Sequence, residues 1–145
     1  MNPDQALLHR FLAGAAGPAP MDTNPLAAAL GARLLQVDAV RQRVVLDFLP
    51  GPLFVQGSGV LQGGAVASML DFAMAFATLA VLPMERRCAT VQLATSFLRA
   101  APAGRCQAIG EIEKLGRSMA FTRAELRPAD GGPLLATASS TLAIA

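Results

Sequence analysis

Residues 63–82 form a largely apolar run that has one charged residue, Asp71, near its centre and is followed directly by Pro83. The spacing of the apolar residues predicts a helix, and the proline predicts its end, because proline lacks the N–H that a further turn requires. A run of about twenty apolar residues could also cross a bilayer. A charge at the centre of such a span costs several kcal/mol, so we predict a buried helix of a globular domain that does not associate with membranes.

The predicted helix has two unlike faces. Small residues surround Asp71 on one of them: Gly64, Ala67, Ser68, Ala75 and Thr78. Large apolar residues occupy the other: Val66, Met69, Leu70, Phe72, Phe76 and Leu79. Burial of an unpaired carboxylate among such residues is costly. Asp71 is therefore either a structural carboxylate, tied to a neighbouring chain or to backbone N–H groups, or a catalytic one.

The rest of the chain predicts short elements separated by Gly, Pro and Asp turn residues. Helices are expected at 4–13 and 25–30, a loop at 14–23, and strands at 32–38, 41–49, 88–99, 104–114, 117–127 and 133–144. One long helix with about six antiparallel strands indicates an α+β domain in which the sheet wraps around the helix. We predict a single domain over residues 1–145, of which 1–30 form a helical extension.

The composition favours self-association. Apolar residues make up 53% of the chain and charged residues 15%. Such a balance leaves few polar side chains to cover the surface of a lone domain. Because copies of one chain usually associate symmetrically, we expect a homodimer or a homotetramer.

The charge distribution excludes one class of partner and allows another. A net charge of +2 is too small for binding to nucleic acid through phosphate neutralisation. Eight of the twelve basic residues lie in the segment from Arg86 to Arg127, together with three acidic ones. This segment is either a set of solvated strand edges and turns or a site for a small anionic ligand.

The scarcity of histidine and cysteine limits the chemistry that this chain can perform. His9 is the one histidine of the chain, so a site built from several histidines is impossible, and we expect no metal and no cofactor. Cys88 and Cys106 lack metal-ligand spacing and are predicted to be core thiols. Catalysis should therefore use carboxylates and backbone groups. The N-terminal residues do not resemble a secretory signal, which by default predicts a cytoplasmic location.

Gln62-Gly63-Gly64 opens the predicted helix. The N–H groups of a first helical turn have no partner within the helix, and this end carries partial positive charge. Two glycines let a ligand approach these N–H groups closely. The arrangement suits an anion, including the oxyanion that develops on a thioester carbonyl during hydrolysis.

The positions of Gln56, Gly59, Gln62-Gly63-Gly64 and Asp71 resemble the signature of the hotdog acyl-CoA thioesterases, especially the phenylacetate-degradation type. That family has Asn or Gln, then His-Gly-Gly six residues later, then Asp or Glu in the central helix. The resemblance covers residues 30–144 and implies a hotdog fold, an acyl-CoA substrate and an active site shared between two chains. It continues in three further segments: Ser96-Phe97-Leu98-Arg99, Gly116-Arg117 and Asp130-Gly131.

The resemblance also implies roles for individual residues. Gln56 would steer the thioester carbonyl, the Gly63 N–H would hold the oxyanion, and Asp71 would act as general base or as nucleophile. Asp71 would face the Gln62-Gly63-Gly64 turn of the other chain. The remaining substrate contacts would come from Thr78, which could place water, and from Arg99, Arg117 and Ser118, which could hold the phosphates of coenzyme A.

Gln62 stands where the family usually has histidine. If that histidine orients the loop, glutamine can replace it; if its charge or ring matters, activity is weak, altered or absent. Two alternatives to a thioesterase therefore stay open: a non-catalytic acyl-CoA-binding module, and a hydratase or dehydratase, which would need a histidine beside its carboxylate. The acyl group stays open between aryl groups and short or medium chains.

Overall fold

The computed structural model describes residues 2–14 and 17–145. Its helices are α1 (Pro3–Leu12), α2 (Pro25–Ala29) and α3 (Gly63–Leu79), with a short 3₁₀ turn at Pro52–Phe54. Its strands are β1 (Ala19–Pro20), β2 (Arg33–Asp38), β3 (Arg43–Phe48), β4 (Cys88–Phe97), β5 (Cys106–Leu115), β6 (Met119–Pro128) and β7 (Ala136–Ile144). Every predicted helix and strand is present, with its ends within three residues of the expected ones.

The strands form one antiparallel sheet in the order β1-β2-β3-β5-β6-β7-β4. Alternate residues of β5, β6 and β7 are buried on the face that packs against α3, which confirms the predicted α+β arrangement. The sheet has seven strands rather than about six, because the loop predicted at 14–23 contains β1. This strand has two residues, paired with Leu34 and Arg33, which is too short to leave a pattern in the sequence. Residues 15 and 16 of that loop lie outside the described chain.

Gly110 of β5 lets α3 lie directly on the sheet. A Cβ atom at this position would lie 2.2 Å from the carbonyl oxygen of Ala73, far inside van der Waals contact. The helix ends at Leu79, where the Ala80 N–H bonds to the carbonyls of Phe76 and Thr78. Within the described residues, no helix combines the length and the apolar character needed to cross a bilayer.

Helix α1 covers the C-terminal end of α3. The buried Gln5 donates through Nε2 to the carbonyl oxygens of Leu82 (3.0 Å) and Pro83 (2.8 Å). These bonds satisfy carbonyl groups beyond the helix end, which would otherwise lack partners. Because His9 belongs to α1, the histidine lies at the end of α3 that is remote from Gly63.

Strand β4 forms one edge of the sheet and pairs with β7 alone in the described chain. Cys88 pairs with Ile144 at one end and Phe97 with Ala136 at the other, ~30 Å away. Apolar side chains on β4 are exposed, Val91 at 59% and Phe97 at 56%. An edge strand with exposed apolar side chains can pair with a further strand.

Candidate active site

The side chain of Gln62 caps the N-terminus of α3. Its Oε1 accepts a hydrogen bond from the Gly64 N–H at 2.6 Å, and its carbonyl accepts from Ala65 and Val66. The Gly63 N–H has no acceptor among the residues that the structure describes. Of the N–H groups in the first turn, the cap therefore leaves that of Gly63 for a ligand.

The two glycines of the turn differ in how much room a side chain would have. A Cβ at Gly64 would lie 2.8 Å from the Gln62 Oε1, so a side chain there would displace the cap. A Cβ at Gly63 would lie 3.4 Å from Cζ of Phe97, at the edge of ordinary contact. Gly63 thus lies beside the aromatic ring at the end of β4.

Gly63 opens onto a cleft of about 310 Å³. Two polar side chains that the sequence predicted at the site, Gln56 and Arg99, line it together with apolar ones: Val60, Leu61, Val66, Phe97, Leu98, Ala101 and Leu135. The cleft therefore combines Gly63 and two residues with polar side chains with an apolar wall. Such a mixture suits a ligand with a polar reacting group and an apolar substituent.

Asp71 lies two turns further along α3 and is half-buried. Its Oδ1 accepts a hydrogen bond from the Thr90 hydroxyl at 2.8 Å, whereas its Oδ2 accepts none from the described residues. Thr90 was not among the residues predicted at the site. The bond fixes one oxygen of the carboxylate and leaves the other available to accept a proton or to attack carbon.

Gly63 and Asp71 are too far apart to serve one carbonyl within a single chain. They are eight residues apart in α3, a separation of ~12 Å along the helix axis. A reacting carbonyl needs both its oxyanion donor and its base or nucleophile at about 3 Å. If both groups act on one substrate, they must come from two chains.

The structure places the other predicted site residues apart from this group. Thr78 is fully buried, and its hydroxyl donates to the Met74 carbonyl at 3.0 Å, so it is not exposed to a ligand as the prediction required. Arg117 and Ser118 are exposed in the turn between β5 and β6, beside the Cys88 end of β4. In one chain they lie at the end of the sheet opposite to Arg99 and the cleft.

The two cysteines are poor nucleophiles in this fold. Burial raises the pKa of the Cys88 thiol to about 11, and the negative charge of Asp71 adds to the rise. Burial likewise raises the pKa of the Cys106 thiol to about 12, with a further contribution from Asp47. Both thiols are therefore protonated at neutral pH. In the part of the chain that the structure describes, no three His, Cys, Asp or Glu side chains converge as metal ligands would.

Comparisons with known sequences identify relatives. A family model described as the thioesterase superfamily matches residues 58–134. The chain is also 31% identical over 108 residues to a Caenorhabditis elegans protein that carries an esterase name, which covers 74% of this chain and 63% of that protein. The chain therefore spans less than two thirds of the length of this curated relative.

Solved structures share the fold over most of the chain. A Ralstonia eutropha protein, described as a thioesterase related to phenylacetic acid degradation, is 32% identical with a TM-score of 0.82, covering 94% of this chain and 98% of that one. A thioesterase family protein from Silicibacter pomeroyi is 27% identical with a TM-score of 0.80, covering 97% of each chain. A mutant of the phenylacetic acid degradation protein PaaI from Thermus thermophilus, 23% identical, shares the fold with a TM-score of 0.72, covering 83% of this chain and 98% of that one.

Proposed function

Because the chain belongs to the thioesterase superfamily, we propose that it hydrolyses an acyl-CoA thioester with Asp71 as its catalytic carboxylate and the Gly63 N–H as its oxyanion donor. The family membership confirms the predicted resemblance to the hotdog thioesterases. The observation that carries the proposal is that the Gly63 N–H, beside the Gln62 cap and an apolar cleft, has no acceptor among the described residues.

The proposed reaction needs few groups. Water attacks the thioester carbonyl while Asp71 takes its proton, and the carbonyl oxygen becomes an oxyanion that the Gly63 N–H stabilises. Collapse of this intermediate breaks the carbon–sulfur bond, and the proton passes to the departing thiolate. In the alternative course, Asp71 attacks the carbonyl itself and the resulting mixed anhydride is hydrolysed by water. Both courses yield a free carboxylic acid and free coenzyme A.

A dimer would bring the two groups together. The free edge of β4 can pair with the same edge of a second chain, and a two-fold axis perpendicular to the joined sheet makes the two strands antiparallel. Helix α3 runs alongside β4, with Gly63 near Phe97 and Asp71 near Thr90. The two-fold axis would therefore place the two α3 helices side by side and antiparallel. Asp71 of one chain would then face Gly63 of the other, which offsets their separation within one chain.

We expect a dimer or larger assembly in solution. Light scattering at micromolar concentration should give at least twice the chain mass of 15.0 kDa, because the β4 edge and its exposed apolar side chains need a cover. Val91→Lys should shift the protein towards monomer and lower its activity, since a charge on an edge strand opposes pairing. Val40→Lys changes a valine that is 95% exposed in the β2–β3 turn and should keep the assembly. A stable wild-type monomer would contradict the shared site.

Arg99 should contribute to binding of the coenzyme. Arg99 is an exposed residue that lines the cleft, so Arg99→Ala should raise KM for a CoA ester by about tenfold, the worth of one charge-assisted contact. The KM for an N-acetylcysteamine thioester, which lacks the nucleotide, should change little. Arg10→Ala removes an exposed arginine from α1 and serves as the control. Equal losses with both substrates would indicate a folding role for Arg99 instead.

A non-catalytic acyl-CoA-binding module is the second candidate, and Gln62 is the feature that favours it. The structure gives Gln62 a capping bond that needs neither a charge nor an aromatic ring, which is consistent with catalysis. Release of free thiol from a panel of CoA esters, measured together with their binding, separates the two functions. Aryl, short and medium acyl groups belong in the panel because the apolar cleft suits each of them. A hydratase is disfavoured because His9 lies at the other end of α3.

A further inference from the structure

The cleft beside Gly63 has an exposed mouth and a buried floor. Its two residues with polar side chains, Gln56 and Arg99, are exposed and belong to the mouth. The buried residues of its lining are all apolar and form the floor: Leu61, Val66, Ala101 and Leu135. A thioester held at the half-buried Gly63 therefore directs its coenzyme towards the mouth and its apolar acyl group towards the floor, where burial stabilises that group most.

A second cleft, of about 370 Å³, adjoins the first one at Leu135. Its lining comes from residues 102–106 and 128–130, most of which are apolar, and from Leu135. Leu135 is the one described residue that lines both clefts, and the two linings also meet along the chain at Ala101 and Pro102. Leu135 therefore lies at the boundary between the two spaces.

Backbone hydrogen bonds hold Leu135 at this boundary. Its N–H donates to the Leu126 carbonyl at 2.8 Å, and its carbonyl accepts from the N–H groups of Leu98 and Arg99 at 2.9 and 3.0 Å. The residue is thus bound to β6 on one side and to the chain after β4 on the other, and it is only 3% exposed. Because it is anchored on both sides, Leu135 is a fixed part of the floor and not a mobile flap.

We propose that Leu135 closes the floor of the cleft and thereby limits the length of the acyl group that the site accepts. This inference rests on the proposed function and adds a specificity-determining residue to it. A space of about 310 Å³ is near the lower end of the range for small-molecule sites, which is roughly 300–1,000 Å³. Such a space suits a single ring or a short or medium chain. A long chain would need the second cleft, from which Leu135 separates it.

Thioether analogues of acyl-CoA test this length limit apart from hydrolysis, because they have no carbonyl for water to attack. Titration calorimetry with S-hexyl-CoA and S-tetradecyl-CoA, at concentrations that keep both monomeric, should give the wild-type protein Kd values within about threefold of each other. The reason is that methylene groups beyond the floor stay in water and add no buried area.

Leu135→Ala should tighten the binding of S-tetradecyl-CoA by about tenfold or more, the worth of about two further buried methylene groups. Truncation of a buried leucine leaves a cavity, and at this position the cavity would join the two clefts. The Kd of S-hexyl-CoA should change little. Leu34→Ala is the matched control, because Leu34 is also buried but belongs to β2 and lines neither cleft. It should leave the ratio of the two Kd values unchanged.

Leu135→Val removes less of the side chain and should change this ratio in the same direction by a smaller factor. It replaces Leu135→Ala if that variant does not fold, and the wild-type comparison of the two thioethers needs no variant at all. Much tighter binding of S-tetradecyl-CoA than of S-hexyl-CoA by the wild type, or binding of neither, would overturn the proposal. An unchanged ratio in a folded Leu135 variant would overturn it as well.

The outcomes separate this inference from the proposed hydrolysis. The expected change in ratio supports the length limit even if no CoA ester releases thiol; in that case the hydrolase proposal fails and Leu135 limits the ligand of a binding module. Hydrolysis of CoA esters together with an unchanged ratio would leave the hydrolase proposal standing and remove the role of Leu135.

Discussion

Asp71→Asn should give a folded assembly whose kcat for thioester hydrolysis is lower than that of the wild type by about 10²–10⁴, the usual contribution of a positioned base. Asparagine is nearly isosteric with aspartate, and its Oδ1 can still accept the Thr90 hydrogen bond. It can neither take a proton from water nor attack a carbonyl. KM should change little, because the lost interaction belongs to the transition state.

Stability distinguishes the catalytic role of Asp71 from a structural one. If the carboxylate mainly holds β4 against α3 through Thr90, Asp71→Asn should lower the free energy of unfolding by about 1 kcal/mol and leave turnover largely intact. Asp130→Asn is a matched control, because Asp130 also accepts a local bond, from the Gly132 N–H, on an exposed turn. A stable Asp71→Asn variant with most of the wild-type kcat would refute the assignment.

Gly63→Pro should lower kcat by about 10²–10³, the cost of removing one oxyanion donor. Proline has no N–H, and it is well tolerated at the first position of a helix, where that group makes no helical bond. The preceding residue already has an extended backbone, with φ −67° and ψ 139°, as proline requires. The substitution therefore removes the donor while the helix keeps its start.

Gly63→Ala is the control for the added side chain. It introduces the Cβ that meets Phe97 at 3.4 Å but keeps the N–H. We expect Gly63→Ala to retain far more activity than Gly63→Pro, with the melting temperatures of both variants near that of the wild type. Equal losses in the two variants would mean that crowding of Phe97, rather than the missing donor, causes the defect.

Much of this fold was predictable because its signals are local. The apolar run at 63–82 has helical period, and its boundaries are marked by Gln62-Gly63-Gly64 and by Pro83. The strands carry alternating patterns bounded by turn residues such as those at 130–133. The two-residue strand β1 was not predicted, because its pairing with β2, rather than its own sequence pattern, makes it a strand.

The site was predictable only where its residues follow each other at fixed spacing. The turn at Gly63 and the carboxylate of Asp71 belong to one helix, so their spacing is visible in the sequence. Thr90 reaches Asp71 through packing of β4 on α3, and Leu135 is held at the cleft by its bonds to β6 and to the chain after β4. Such contacts leave no local pattern. Helical spacing places Thr78 on the same side of α3 as Asp71, two turns further on, but other parts of the chain cover the helix there and Thr78 is fully buried.

The central claim is that one active site combines Asp71 of one subunit with Gly63 of the other, and mixed dimers test it most directly. Asp71→Asn and Gly63→Pro chains, carrying different tags, can be co-expressed and their heterodimers purified through both tags. Each heterodimer then holds one site in which both groups are intact. Thiol release from a CoA ester should return to about half of the wild-type rate per dimer, because one of two symmetric sites is restored. Activity no higher than that of the two parent variants would contradict the shared site.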